Sequence, residues 1–188
     1  MIPLLLALLG YFVLSFTYSI WLKRTLLVDV FVLAGLYSFR IVVGHIVTGV
    51  VFSEWLLSFA FLLFLSLGFS KRMTELSHAQ ASGRVIHGRG YRVSDLLSVN
   101  LFGVCSAFLA AVVFLLYLQS DKVKMLYQQP ALLWLLCPVL LYWLSRIWLL
   151  SARGSVQEDP VLFVLRDHVS YLAVVVAGLI MLAAKAGI

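Results

Sequence analysis

Six apolar stretches, at roughly 3–21, 26–48, 54–70, 95–119, 130–150 and 168–187, leave this chain little room for a water-soluble fold. Each is close to the ~20 residues that a helix needs to cross a bilayer core. Backbone groups in lipid must satisfy one another, so the runs predict an all-α, polytopic transmembrane helix bundle of about six spans. Composition agrees: 63% of the 188 residues are hydrophobic and only 12% are charged, so most side chains cannot face water. The polar breaks fall at 22–25, 49–53, 71–94, 120–129 and 151–167. Even the longest is too short to bury a core of its own, which predicts a single membrane-embedded domain over 1–188.

Charge is distributed unevenly among those breaks. If the spans alternate in direction, the first, third and fifth breaks share one side. They carry Lys23, Arg24, Lys71, Arg72, Arg84, Arg89, Arg92, Arg153 and Arg166, nine of the fourteen basic residues. Lys122, Lys124 and Lys185 fall on the other side, and Arg40 and Arg146 within spans. By the positive-inside rule the odd breaks are expected to be cytoplasmic and both termini external. The net charge of +6 is thus read as topology. No soluble basic face is visible that would argue for nucleic acid.

A few polar residues sit where a membrane makes them costly. Asp29, Leu33, Leu36 and Arg40 lie at i, i+4, i+7 and i+11, one face of a helix. Arg40 is some fourteen residues into its span, about 21 Å along an ideal axis. There an arginine costs about 2.5–3.5 kcal/mol unless it is paired or reaches water. It either neutralises a structural carboxylate or lines a polar cavity that accepts an anion; Gly35, Ser38 and Gly44 nearby would allow such a cavity. His45 reads as a helix-packing histidine. Cys105 and Cys137 read as buried thiols, with no CxxC or His/Cys companion.

In the third break, Lys71, Arg72 and Glu75 follow an apolar run directly, which fits an interfacial anchor with an ion pair one turn apart. Ser82-Gly83-Arg84 and His87-Gly88-Arg89-Gly90-Tyr91-Arg92 make a turn-rich loop whose arginines offer planar forks to phosphate oxygens. In the fifth break, Glu158, Asp159 and Asp167 bracket Pro160 and Phe163. Two readings are compatible here. Spaced carboxylates suit an Mg²⁺–diphosphate complex, and acidic residues before Pro160 suit the start of a helix. No GxSxG, HExxH, Walker lysine loop or CxxC pair is present, so hydrolase and oxidoreductase readings have no residues to carry them.

Several of these pieces together resemble UbiA-type membrane prenyltransferases. They are Tyr18-Ser-Ile-Trp-Leu-Lys23, Asp29-Val, Arg40 within Ser-Phe-Arg-Ile-Val-Val-Gly44, Ser53-Glu-Trp55, Lys71-Arg72-Met-Thr-Glu75, and Glu158-Asp159-Pro160-Val-Leu-Phe163-Val-Leu-Arg166-Asp167. The similarity is greatest to the branch containing decaprenyl-phosphate phosphoribosyltransferase. Gly88-Arg89-Gly90-Tyr91-Arg92 is similar to members that carry a haloacid-dehalogenase-like domain ahead of the membrane part. The family's first acidic motif, of the NDxxDxxxD kind, has no counterpart, so the resemblance implies the last six helices of a nine-helix fold, N-terminally incomplete.

The resemblance further implies an Mg²⁺-dependent transfer of a prenyl or phosphoribosyl group, involving a polyprenyl phosphate or diphosphate lipid in a bacterial inner membrane. Asp159 and Asp167 would hold Mg²⁺, with Glu158 assisting. Lys23, Arg40, Lys71 and Arg72 would contact phosphate oxygens, Tyr18 would donate a hydrogen bond, and Asp29 would position Lys23 or an acceptor. The alternative is a non-catalytic partial paralogue, or a subunit needing a separately encoded N-terminal half.

Overall fold

The structure, a computed structural model, describes residues 2–49, 52–83, 90–154 and 160–187. Among them there are helices and turns but no strand, so the expected all-α class holds. In chain order the helices are α1 (Ile2–Ile20), α2 (Val28–Thr48), α3 (Glu54–Ser82), α4 (Leu96–Leu118), α5 (Asp121–Leu126), α6 (Leu136–Ala152), α7 (Pro160–Val164) and α8 (His168–Ala186). Short 3-10 turns lie at Leu22–Arg24, Val93–Asp95 and Pro130–Leu135. Among the described residues, five stretches are long and apolar enough to cross a membrane: Val28–Thr48, Glu54–Ser82, Val93–Leu118, Pro130–Ala152 and His168–Ala186. The apolar part of α1, Leu4–Ile20, is shorter.

Local chemistry sets several boundaries. The Ser53 hydroxyl accepts a hydrogen bond from the Leu56 N–H at 3.4 Å and starts α3, satisfying a donor that has no partner within the helix. Gly83 ends it at φ 63°, a left-handed conformation that glycine adopts without a Cβ clash. α3 therefore runs on for twelve residues from Lys71, where the sequence reading placed a polar break. The reason is a continuing inward stripe: Phe69, Met73 and Leu76 are all buried at i, i+4 and i+7. Pro138 lies in the first turn of α6, where a missing N–H costs little.

α3 is the hub, packed against α2, α4 and α6. The main core gathers Val30 and Ala34 of α2, Leu65 and Phe69 of α3, Ala107 and Ala111 of α4, and Leu144 and Trp148 of α6. Gly103 makes room for the Trp148 indole: a Cβ there would lie 2.1 Å from its Cη2. The indole N–H donates to Ser66 Oγ at 3.0 Å, so the polar edge of a large buried ring is satisfied. A second cluster of Leu118, Val123, Leu133, Leu136 and Ala184 closes the opposite end. α1 and α8 are peripheral, with leucines and valines turned outward, as lipid-facing helices require.

Contacts tie the first, third and fifth breaks to one end of the bundle. Asp29, at the start of α2, meets Arg72; the buried Ser70 and Ser151 hydroxyls are 2.8 Å apart; and α7 packs on α3. At the other end Lys122 Nζ donates to the Phe52 carbonyl at 2.8 Å, and the Gln129 N–H donates to the Ala184 carbonyl at 3.0 Å.

Candidate functional site

The first break folds against the third through one carboxylate. Asp29 is fully buried in the first turn of α2. Its Oδ2 lies 2.9 Å from Arg72 Nε on α3, and its Oδ1 accepts a 2.7 Å hydrogen bond from the Tyr91 hydroxyl. Arg72, 2% exposed, also pairs with Glu75 one turn along α3. The Tyr91 oxygen in turn accepts from the Leu27 N–H at 3.2 Å. Leu27 is the one non-glycine at positive φ (64°) among the described residues. Gly90 lets the loop come this close, because a Cβ there would lie 2.8 Å from the Leu26 backbone nitrogen. Burial, together with the Asp29 hydrogen bond, pushes the Tyr91 phenol well above its usual pKa, so it stays a donor.

A second polar group sits at the start of α8. Asp167 caps that helix, its Oδ2 accepting from the Ser170 N–H and hydroxyl, each at 2.8 Å. Arg146 of α6 grips the same carboxylate with two parallel bonds, 2.6 Å to Oδ2 and 2.9 Å to Oδ1. The Trp143 indole N–H donates to Ser170 Oγ at 2.9 Å. Burial alone would raise the Asp167 pKa, but the Arg146 and Ser170 hydrogen bonds outweigh it and hold the carboxyl below the usual carboxylate range. A carboxylate this fully committed to a guanidinium does not fit an Mg²⁺ ligand. Among the described residues no three His, Cys, Asp or Glu side chains gather as a metal site. Glu158 and Asp159 lie outside the described residues, as do Arg84, His87 and Arg89.

Tyr18, in the last turn of α1, and Lys23, in the following 3-10 turn, are half-buried at the same end as Asp29 and Arg72. Among the described residues no carboxylate pairs with Lys23. Lys71, half-buried, neighbours Arg72 on α3. Arg40 is elsewhere, within α2 and exposed; it donates to the Tyr11 hydroxyl from Nε at 3.1 Å and Nη2 at 2.8 Å. Asp29 and Arg72 thus come together with Tyr91, a residue read only as part of a loop. The tight Gly90-Tyr91 step was the signal for that close approach. The Arg146–Asp167 pair had no local signal, since its members lie on separate helices.

An apolar cavity of about 300 Å³ lies between α3, α4, α6 and α8, lined by Phe59, Phe114, Leu140, Trp143, Ala177 and Met181 among others. A groove of about 400 Å³ between α2 and α3 includes Gly35 and Ser38, the small residues that suggested a cavity in the sequence; Arg40 is not among its lining residues.

Long apolar helices around a small set of paired charges fit an integral membrane protein. The chain is 39% identical over 163 residues, 86% of its length, to an uncharacterized protein, y4nM, of Sinorhizobium fredii. It is 34% identical over 170 residues, 88% of its length, to nodulation protein NoeC of Azorhizobium caulinodans. The chain spans only 32% and 54% of those two relatives, respectively. No family model matches it, and no solved structure does.

Proposed function

We propose that this chain is the membrane part of a UbiA-type transferase that handles a polyprenyl phosphate or diphosphate, moving a prenyl or phosphoribosyl group. Six spans, the inner-membrane location and cytoplasmic odd breaks belong to this reading. The observation that carries it is that Lys23 of the first break, Lys71 and Arg72 of the third, and Asp29 at the start of α2 lie at one end of an apolar bundle. Cations at the mouth of an apolar bundle suit a lipid whose head is a phosphate and whose tail is hydrocarbon. In this arrangement Lys23 meets the phosphate, while Arg72 is held by Asp29 and Glu75 and shapes the site from behind. The Mg²⁺ that the resemblance implies would have to rely on Glu158 and Asp159.

A second reading, a non-catalytic partial paralogue or a subunit completed by a separate half, is favoured by the engagement of Asp167 with Arg146 and by the partial span of the relatives. Binding and turnover separate the two. In phosphatidylcholine vesicles, polyprenyl phosphate should quench tryptophan fluorescence at concentrations where the free polyprenol does not. Lys23→Gln should weaken that binding about tenfold, the loss of one charge-assisted contact. Equal binding of phosphate and alcohol would end the transferase reading. Phosphate binding without Mg²⁺-dependent release of diphosphate from a prenyl or phosphoribosyl donor would favour the second.

A further inference from the structure

Arg40 is out of place in a way that its neighbours do not resolve. It lies twelve residues from Val28 and eight from Thr48 in α2, about 18 Å and 12 Å along the axis. Its guanidinium is bound by the Tyr11 hydroxyl and sits 4.9 Å from the Tyr37 ring centroid. Tyr37 is one turn back toward the α2 N-terminus, so the side chain points away from the nearer end of its helix. It does not snorkel to the closer interface. Phenols solvate a cation without neutralising it, and among the described residues no carboxylate pairs with Arg40. Yet the residue is exposed on the bundle surface, where bare hydrocarbon would be a costly neighbour. The same face continues through Gly44 and Val47, at i+4 and i+7, both exposed. No atom lies within 4 Å of where a Gly44 Cβ would be, so a second backbone has room for close approach.

We propose that this face of α2 docks a further transmembrane helix carrying an Asp or Glu at mid-depth, which pairs with Arg40. Charge selects that occupant: a carboxylate accepts the guanidinium fork in two parallel bonds. A second copy of this chain does not supply it. The eight acidic residues are at 29, 54, 75, 95, 121, 158, 159 and 167, all toward the ends of the spans, so a parallel two-fold pair brings none to the depth of Arg40. A lipid phosphate stays at the headgroup level, about 12 Å away along the axis on the nearer side. The inference requires only that α2 spans the membrane and is independent of the transferase reading.

The test uses the chain with Cys137→Ser, labelled at the exposed Cys105 of α4 and reconstituted in phosphatidylcholine vesicles. The probes are labelled leucine-rich transmembrane peptides with a single central Glu, Gln or Leu, and binding is followed by energy transfer. The Glu peptide should bind about tenfold more tightly than the Leu peptide, with Gln between. Arg40→Leu should abolish the preference and Arg40→Lys should retain part of it. Equal binding of the Glu and Leu peptides would overturn the proposal even if Arg40→Leu failed to fold. So would a preference that survives Arg40→Leu, displacement of the Glu peptide by added anionic phosphatidylglycerol, or Arg40-dependent transfer between labelled copies of the chain alone.

Discussion

Asp167 joins two jobs in one carboxylate, capping α8 and holding Arg146 of α6. Because these contacts lower its folded pKa below the ordinary value of 3.8, it stabilises the fold above that value. The contribution is lost as pH falls through the lowered one. Asp167→Asn keeps an N-cap acceptor but removes the charge, so it should cost about 2 kcal/mol at neutral pH. It should also flatten the acid limb of the melting temperature measured against pH in detergent. An unchanged acid limb would mean that the pair contributes nothing. The sequence displayed this residue plainly but not its partner, because Arg146 is twenty-one positions away and only helix packing brings the two together. Asp29 was legible as a residue needing a partner. That the partners are Arg72 and Tyr91 depends on how α2 and α3 align, which no local spacing encodes.

At the scale of elements, apolar runs marked every long helix, because lipid leaves a spanning backbone few options other than to be helical. The ends were less legible. α3 outlasts its apolar run because Met73 and Leu76 keep a buried side beneath Lys71, Arg72 and Glu75, a pattern that mean hydropathy hides and helical periodicity reveals. The α3–α4–α6 junction rests on Gly103, a glycine that nothing in the sequence distinguished. Gly103→Ala places a methyl group within 2.1 Å of Trp148 and 2.8 Å of Phe69 Cβ. It should destabilise by about 1–3 kcal/mol, the usual cost of overpacking a closed core. Thermal unfolding followed by tryptophan fluorescence would report it, and a neutral outcome would mean that the indole can swing aside without loss.

Across the whole molecule, the alternation of helices along the chain decides which connections lie together. Alternating spans put the odd breaks on one side, and the Asp29–Arg72 and Ser70–Ser151 contacts gather them at one end. If the bundle spans the membrane as its hydropathy indicates, Lys23→Cys and Lys71→Cys should react with an impermeant maleimide from one face. Lys122→Cys should react from the other. Labelling Lys23→Cys and Lys71→Cys from opposite faces would be incompatible with the packing described.

The length of α3 has a mechanical consequence. Its twenty-nine residues extend about 43 Å, against a hydrocarbon thickness of ~30 Å, so in a bilayer a rigid overhang of about two turns would stand clear of the acyl chains. Water-soluble molecules arriving at that end meet this post before they meet lipid. Any force they exert on it is delivered, lever-fashion, to the helix on which the rest of the bundle is mounted.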